Sequence, residues 1–294
     1  MTALLLIICI LSSGFTGNVY KKLSDKCESA HETAATPSVW FVCLGLLFTV
    51  LSLVSKEVFT VSLLLTAIPA GVCIFGAAYT LLLSMKSNAL SISVIIVNLN
   101  FMIPVILSVI FLNESAGSLQ LIGMILSITV IVLLNMGSKG DTGGGKASIL
   151  LPLIACFSNG LFNFFIKLNE AEGGSAFWFF ALSYGSAAIL ALAVGAALSI
   201  RGGKLRFPLS RGYLASGITP MLIIGLCNGV CFYTARLLAE RMNAAAQFTV
   251  VTCASIMLSL LVGFLFQGDK FNKKSAISIL FCVLAVLCQY SGII

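Results

Sequence analysis

Charged side chains are scarce in this sequence. Only 9% of the 294 residues are Asp, Glu, Lys or Arg, whereas a soluble domain carries roughly a quarter because its surface faces water. Hydrophobic residues make up 59% of the chain, and the mean hydropathy is +1.10. This balance excludes a water-soluble protein and predicts an integral membrane protein.

The sequence also has few of the groups on which enzymes depend. There is one histidine, His31, which we expect in a solvated loop, and the acids nearest to the apolar runs lie at run ends, as Glu114 does. A membrane-embedded enzyme would need a nucleophile, a metal or an acid–base pair within the bilayer. Cys227 and Cys231 are four residues apart, but neither His nor carboxylate accompanies them, so they predict packing. We therefore predict no enzymatic activity, no metal and no cofactor.

What the chain does have is long uncharged runs. A helix needs about 20 apolar residues to cross a hydrocarbon core of roughly 30 Å, and the runs lack the alternating polarity of transmembrane β-strands. They predict an all-α, polytopic membrane protein of ten transmembrane helices. The runs are 1–20, 33–55, 58–85, 87–113, 115–138, 147–166, 173–200, 212–235, 242–268 and 275–294.

The two halves of the chain resemble each other. Residues of matching type recur at an offset that drifts from 146 to 155 along the chain. The matches are Ser12, Gly14 and Lys21 with Ser158, Gly160 and Lys167; Gly71, Cys73, Tyr79 and Thr80 with Gly225, Cys227, Tyr233 and Thr234; and Asn88, Ala89, Phe111 and Glu114 with Asn243, Ala244, Phe266 and Asp269. Because a unit of five helices is odd in number, the second copy enters from the opposite side. The sequence predicts two inverted five-helix repeats, as in many transporters.

A glycine-rich stretch separates the halves. We expect a first repeat over 1–136, a linker over 137–147 and a second repeat over 148–294. Residues 140–147 fit a phosphate-binding loop at all but the last position, where Ala147 lacks the hydroxyl that would hold Mg²⁺. A phosphate loop also needs a preceding strand and a soluble helix, so this stretch is interpreted as a linker.

One segment of the first half carries a family resemblance. Asn88-Ala-Leu-Ser-Ile-Ser, then Pro104, Phe111-Leu-Asn-Glu114 and Gln120-Leu-Ile-Gly123 resemble the EamA-type branch of the drug/metabolite transporter superfamily. The second copy departs from the pattern, with Ser259 in place of the proline and Asp269 in place of the glutamate. The resemblance implies ten helices around a central cavity, alternating access without nucleotide hydrolysis, and both termini in the cytoplasm.

Polar side chains within the runs are candidates to bind a substrate, because polar groups in hydrocarbon usually face the bundle interior. The alternative is that each pins neighbouring helices together, worth about 0.6 kcal/mol per bond. Trp40 and Trp178 lie near run ends, as interfacial anchors do. The candidate substrate-binding residues are Ser13, Tyr79, Asn98, Asn100, Asn159, Asn163, Asn228, Tyr233 and Arg236.

These features favour a secondary transporter in a plasma or bacterial inner membrane. The runs lack buried acids, and we expect Lys167 and Arg236 to be the basic groups nearest to the central cavity. A small amino acid-like metabolite that is neutral, zwitterionic or anionic therefore fits as substrate. We expect a monomer or a homodimer that contacts lipid and no nucleic acid, with a non-transporting membrane sensor or assembly subunit as the alternative. Lys and Arg cluster in the loops after odd-numbered helices, which by the positive-inside rule places both termini outside, against the family resemblance.

Overall fold

The computed structural model describes residues 2–27, 29–87, 96–115, 117–135, 147–201, 211–266 and 273–290. Residues 137–146 of the predicted linker and Asn88-Ala-Leu-Ser-Ile-Ser lie outside the described residues, while Ala147, predicted to end the linker, begins a helix. A 3₁₀ turn over Leu99–Phe101 leads directly into the fifth helix. The helices are α1 (Thr2–Lys26), α2 (Ala30–Ala35), α3 (Pro37–Val54), α4 (Leu63–Ser87), α5 (Met102–Phe111), α6 (Ser118–Asn135), α7 (Ala147–Ala171), α8 (Ala176–Arg201), α9 (Arg211–Ala239), α10 (Ala244–Phe266) and α11 (Lys273–Tyr290).

Five helical stretches are long and apolar enough to cross a membrane, which is the behaviour expected of an integral membrane protein. They are Ala30–Val54, Leu63–Lys86, Leu150–Ala171, Ala176–Arg201 and Gly217–Ala239. Shorter apolar helices cover Thr2–Gly14, Ile96–Phe111, Ser118–Leu133, Ala244–Leu258 and Ala276–Gln289. The described part of the chain is all-helical, while crossing by all ten runs stays a prediction.

The helices pack around two main apolar cores. The larger core lies between α1, α3, α4, α7, α8 and α9 and is rich in aromatic rings. The second lies between α5, α6, α10 and α11. Many large apolar side chains on the outer surface are exposed, Leu65 and Val72 among them. In an apolar solvent such exposure carries no hydrophobic cost, so the packing agrees with a lipid-facing exterior.

Trp40 is not the surface anchor that its position in the sequence predicts. Its side chain is 0% exposed and lies in the larger core. The uncharged runs show how far a residue lies from a helix end, but not which face of the helix carries it. In the structure, Trp40 faces the larger core. His31 also differs from expectation, because it lies in α2, half-buried, with Nε2 3.2 Å from the Ser29 hydroxyl.

Two cysteines from distant parts of the sequence meet where α1 packs on α9. Cys9 and Cys231 have their Sγ atoms 3.7 Å apart, and both thiols are free. The sequence did not pair them, because nothing in a single chain links positions 222 residues apart. Their closeness gives a direct test of the α1–α9 contact.

We expect a membrane-permeant oxidant such as diamide to join Cys9 to Cys231, because a disulfide needs sulfurs that can approach to about 2 Å without a large backbone movement. Peptide mapping under non-reducing conditions should find the 9–231 cross-link and should lose it in Cys231→Ala. Cys43, which is exposed on α3, is the control and should remain uncoupled. Mapping that finds Cys9 joined elsewhere would contradict the α1–α9 packing.

Candidate functional site

A lysine is buried near the end of α7. Lys167 is 4% exposed, and its Nζ donates to the carbonyl oxygens of Ala239 at 2.7 Å and Met242 at 2.8 Å. Nζ also lies 3.0 Å from Oε1 of Glu114. A buried charge is stable only when it is paired and hydrogen-bonded, and Lys167 has both kinds of partner. Lys167 thus holds the α9–α10 turn against α7.

Glu114 completes this arrangement from the α5–α6 connection. Asn113 adopts a left-handed backbone (φ 52°), which Asn tolerates better than most residues. Oε2 of Glu114 accepts a hydrogen bond of 2.7 Å from the amide of Ala244, the first residue of α10. We call the set Lys167, Glu114, Ala239, Met242 and Ala244 the Lys167–Glu114 junction. It fastens three separate parts of the chain to one another.

A pair of amides continues the contact between α6 and α10. Gln120 is buried and donates to Oδ1 of Asn243 at 3.2 Å, while Asn243 donates to Oε1 of Gln120 at 3.1 Å. Oδ1 of Asn243 also accepts from the amide of Ala246 at 2.9 Å, which caps the start of α10. The Gln120 and Asn243 side chains therefore hold α6 against α10.

Arg236 makes a second buried polar cluster on the last turn of α9. It is 5% exposed, and its guanidinium donates to Glu240 at 2.9 Å, to Oδ1 of Asn169 at 3.4 Å and to the carbonyl of Gly174 at 3.3 Å. Glu240 itself is 49% exposed. Arg236 therefore ties α9 to the α7–α8 turn rather than pointing freely into the interior.

Glu57 forms a third tie, between the α3–α4 connection and the start of α8. Its carboxylate accepts from the amide of Phe177 at 3.0 Å and from the Ser175 hydroxyl. Its backbone carbonyl accepts from the indole N–H of Trp178 at 3.0 Å. The Trp178 indole, predicted as an interfacial anchor, is thus fixed by this bond.

The three ties lie at one end of the bundle. The Lys167–Glu114 junction, the Arg236 cluster and the Glu57 tie together join the α3–α4, α5–α6, α7–α8 and α9–α10 connections. We call this end the tethered face. The ion pairs and hydrogen bonds of the tethered face hold these helix ends close to one another.

The predicted site residues occupy several places. The 3₁₀ turn lies against α7 at Gly160, where a Cβ would be 2.8 Å from the Asn100 carbonyl oxygen. Asn98 and Asn100 on this turn, and Asn159 and Asn163 beside Gly160, therefore lie near one helix crossing. Asn163 is buried and the other three are half-buried.

The remaining candidates pair with neighbouring helices. The Ser13 hydroxyl bonds that of Ser255 on α10. Nδ2 of Asn228 donates to the Tyr20 hydroxyl at 3.0 Å. Tyr233 stacks on Phe177, with ring centroids 5.4 Å apart. These contacts are those of helix packing, and they favour the pinning alternative for Ser13 and Asn228.

Tyr79 and Arg236 are each engaged in a different way. Tyr79 stacks on Phe75 of its own helix, with ring centroids 5.8 Å apart and planes 3° apart. Arg236 is held by the carboxylate, amide and carbonyl partners of its cluster. The described side-chain contacts of Tyr79 and Arg236 are therefore with residues other than the four asparagines.

Sequence reasoning missed three interior groups. Tyr184 on α8 and Trp40 on α3 are both fully buried, and Lys167 pairs with Glu114, which was predicted only to lie at a run end. Each of these burials and contacts depends on a partner far away in the chain. For the ion pair, the available signal was Lys167 itself, the first charged residue after a long uncharged run.

Comparison with known proteins adds information on the fold. No family model matches the chain, and no curated protein matches it. A solved structure described only as the crystal structure of a protein is similar, with a TM-score of 0.70 and 16% sequence identity. The similarity covers 98% of this chain and 95% of that one. At this identity it shows that the fold exists in a known protein, and nothing about activity.

Proposed function

We propose that the chain is a secondary transporter that moves a small metabolite by alternating access, built from two inverted five-helix repeats. The observation that carries this proposal is a set of matched helix contacts in the two halves. Inverted repeats give a transporter two equivalent arrangements, one open to each side.

The first matched contact involves Gly14 and Gly160. A Cβ on Gly14 would lie 2.7 Å from the Leu258 side chain, and a Cβ on Gly160 would lie 2.6 Å from the Ile103 side chain. Gly160 follows Gly14 by 146 residues, and Leu258 follows Ile103 by 155. Both separations equal offsets that the sequence alone suggests for those regions. The same close approach thus occurs twice, each time between a glycine of one half and a side chain of the other half.

The second matched contact involves Gly71 and Gly225. A Cβ on Gly71 would collide with Ser186 of α8, and a Cβ on Gly225 would lie 2.8 Å from Cβ of Trp40 on α3. Gly225 follows Gly71 by 154 residues and Ser186 follows Trp40 by 146. Chance similarity among apolar helices gives no reason for contacts to recur at these offsets.

The helices that pack against α1 are the repeat counterparts of the helices that pack against α7. Helix α1 packs on α9 and α10, and its repeat counterpart α7 packs on α4 and α5. Likewise α1 contacts α4 where α7 contacts α9. Exchanging each of these helices for its counterpart therefore reproduces these contacts of α1 and α7, which supports the two-repeat proposal.

The tethered face supplies the other element that alternating access requires. We infer that its bonds close one end of the bundle in this state, and that they separate when the transporter opens to that side. Ion pairs and hydrogen bonds suit a gate, because water can replace each partner as the helices part. The asparagines at the α7 crossing are the proposed substrate contacts.

The test is uptake of a mixed metabolite pool into liposomes that contain the purified protein, read by mass spectrometry. We expect one chemical class of solute to accumulate above protein-free liposomes. Asn100→Leu and Asn163→Leu should each lower that uptake at least about tenfold, as loss of a hydrogen bond to substrate would, with the melting temperature nearly unchanged. If these variants instead lower the melting temperature and spare uptake, the amides pin helices. Absence of uptake for every solute would favour a sensor or assembly subunit.

A further inference from the structure

The centre of the larger core holds a group of stacked aromatic rings. Tyr184 lies with its ring centroid 5.9 Å from Phe41, 5.9 Å from Phe48 and 6.0 Å from Phe180, close to parallel with each. Trp40 lies 5.5 Å from Phe41 on the neighbouring side. We call Trp40, Phe41, Phe48, Phe180 and Tyr184 the aromatic cluster. It joins α3 to α8 across the proposed repeat boundary.

Two polar atoms of this cluster have no partner among the described residues. They are Nε1 of Trp40 and the hydroxyl of Tyr184, and both side chains are 0% exposed. A buried donor without a partner destabilises the arrangement that holds it, because its bond to water is lost and not replaced. The nearby Tyr20 hydroxyl shows the contrast, because it accepts a hydrogen bond from Asn228. Two such atoms on side chains that both pack against Phe41 point to a partner that is absent from this arrangement of the helices.

The chemistry of the two atoms restricts that partner. An indole N–H can only donate, and a phenol can donate as well as accept, so the partner must present hydrogen-bond acceptors. The described ring contacts of Tyr184 are all to other aromatic rings, namely Phe41, Phe48, Phe162 and Phe180. Aromatic ring faces favour a flat, uncharged solute, because a charged solute would lose its hydration there without gaining a counter-ion.

We propose that Trp40 and Tyr184 bind an uncharged, flat solute through its hydrogen-bond acceptors, when the tethered face opens and the aromatic rings separate. This inference rests on the proposed transport function, since it adds Trp40 and Tyr184 to the asparagines as proposed substrate contacts. Phe162, next to Asn163 on α7, contacts the Tyr184 ring at 6.4 Å between centroids. The proposed site narrows the substrate from any small metabolite to acceptor-bearing planar compounds.

The fluorescence of Trp40 itself can report binding at this site. The chain has two tryptophans, so Trp178→Phe leaves Trp40 as the single tryptophan, whose emission is excited selectively at wavelengths that tyrosine does not absorb. Purified Trp178→Phe protein is titrated with benzamide, benzoate and benzylamine, which share one ring and differ in carrying an uncharged acceptor, an anionic acceptor and a cation. We expect benzamide to shift the Trp40 emission to longer wavelength with saturation, as a new hydrogen bond to the indole does. Benzoate and benzylamine should bind at least about tenfold more weakly.

Substitution of Tyr184 separates binding from packing. In the Trp178→Phe background, Tyr184→Phe removes only the unpartnered hydroxyl, so the melting temperature should hold or rise while the apparent Kd for benzamide increases about tenfold. Tyr20→Phe is the matched control: it breaks the bond to Asn228, so it should lower the melting temperature and leave the Kd unchanged.

Three results would overturn the proposed site: unchanged emission with all three probes, stronger binding of benzoate or benzylamine, and an unaltered Kd in Tyr184→Phe. The titration needs no flux, so failure of the site and failure of the transport function can be told apart. Solute uptake with an unaltered Kd in Tyr184→Phe leaves transport standing without this site, and probe binding without uptake of any solute leaves the site standing without transport.

Discussion

Replacing Lys167 by Met is expected to lower the free energy of unfolding by about 3–5 kcal/mol, the usual cost of removing one partner from a buried ion pair, and to reduce solute uptake to background. The methionine fills a similar volume but leaves the carbonyls of Ala239 and Met242 without their donor and Glu114 without its cation. Denaturant titration in detergent gives the stability, and the liposome assay gives the uptake.

Two further variants test whether the stability lost in Lys167→Met results from the burial of this ion pair. Glu240→Gln alters the other described ion pair of the tethered face, but Glu240 is 49% exposed, so we expect a loss below about 1 kcal/mol. The double variant Lys167→Met with Glu114→Gln should recover part of the stability, because no unpaired charge remains. A Lys167→Met protein as stable as the parent would show that the junction does not hold the helices together.

Replacing Gly71 by Ala is expected to destabilise the protein by about 1–3 kcal/mol, the range for forcing extra volume into a packed core. The added methyl group would collide with the Ser186 hydroxyl and lie 2.5 Å from the backbone carbonyl oxygen of Ser183. A side chain can rotate away from such a contact, but the backbone of α8 cannot move without disturbing its packing on α3. Thermal melting in detergent measures the loss.

Gly185→Ala is the matched control for this prediction. Gly185 also lies within α8, but a Cβ built on it meets no atom within 4 Å, so we expect no loss and a small gain from the better helix propensity of Ala. Gly225→Ala should resemble Gly71→Ala, because its Cβ would lie 2.8 Å from that of Trp40. Equal melting temperatures for Gly71→Ala and Gly185→Ala would show that α4 and α8 are not closely packed.

The membrane class and the helices of this fold follow from the sequence, because long uncharged runs can satisfy their backbone only as helices in lipid. The glycines that permit close crossings, such as Gly160 and Gly225, were also visible as repeated positions. Lys167 and Arg236, predicted as the basic groups nearest to a central cavity, are both buried, while their relation to a cavity stays a prediction.

What the sequence could not provide is the partner of each residue. The motif residue Glu114 is predicted only to end a helix, yet it pairs with Lys167 more than fifty positions away. The contacts between Cys9 and Cys231, and between Trp40 and the α9 backbone at Gly225, depend likewise on how helices rotate and cross. Uniformly apolar helices carry little information about rotation, since hydrophobic residues occur on every face.

The two charged residues of the Lys167–Glu114 junction are not interchangeable, as they would be in an isolated ion pair. The carbonyls at the C-terminal end of a helix carry partial negative charge, and the amides at an N-terminal end carry partial positive charge. Lys167 faces the former at the end of α9, and Glu114 faces the latter at the start of α10. Exchanging the two residues would keep their mutual attraction but set a carboxylate against carbonyl oxygens and an ammonium against an amide. The backbone of the α9–α10 turn therefore dictates which member of the pair stands on α7.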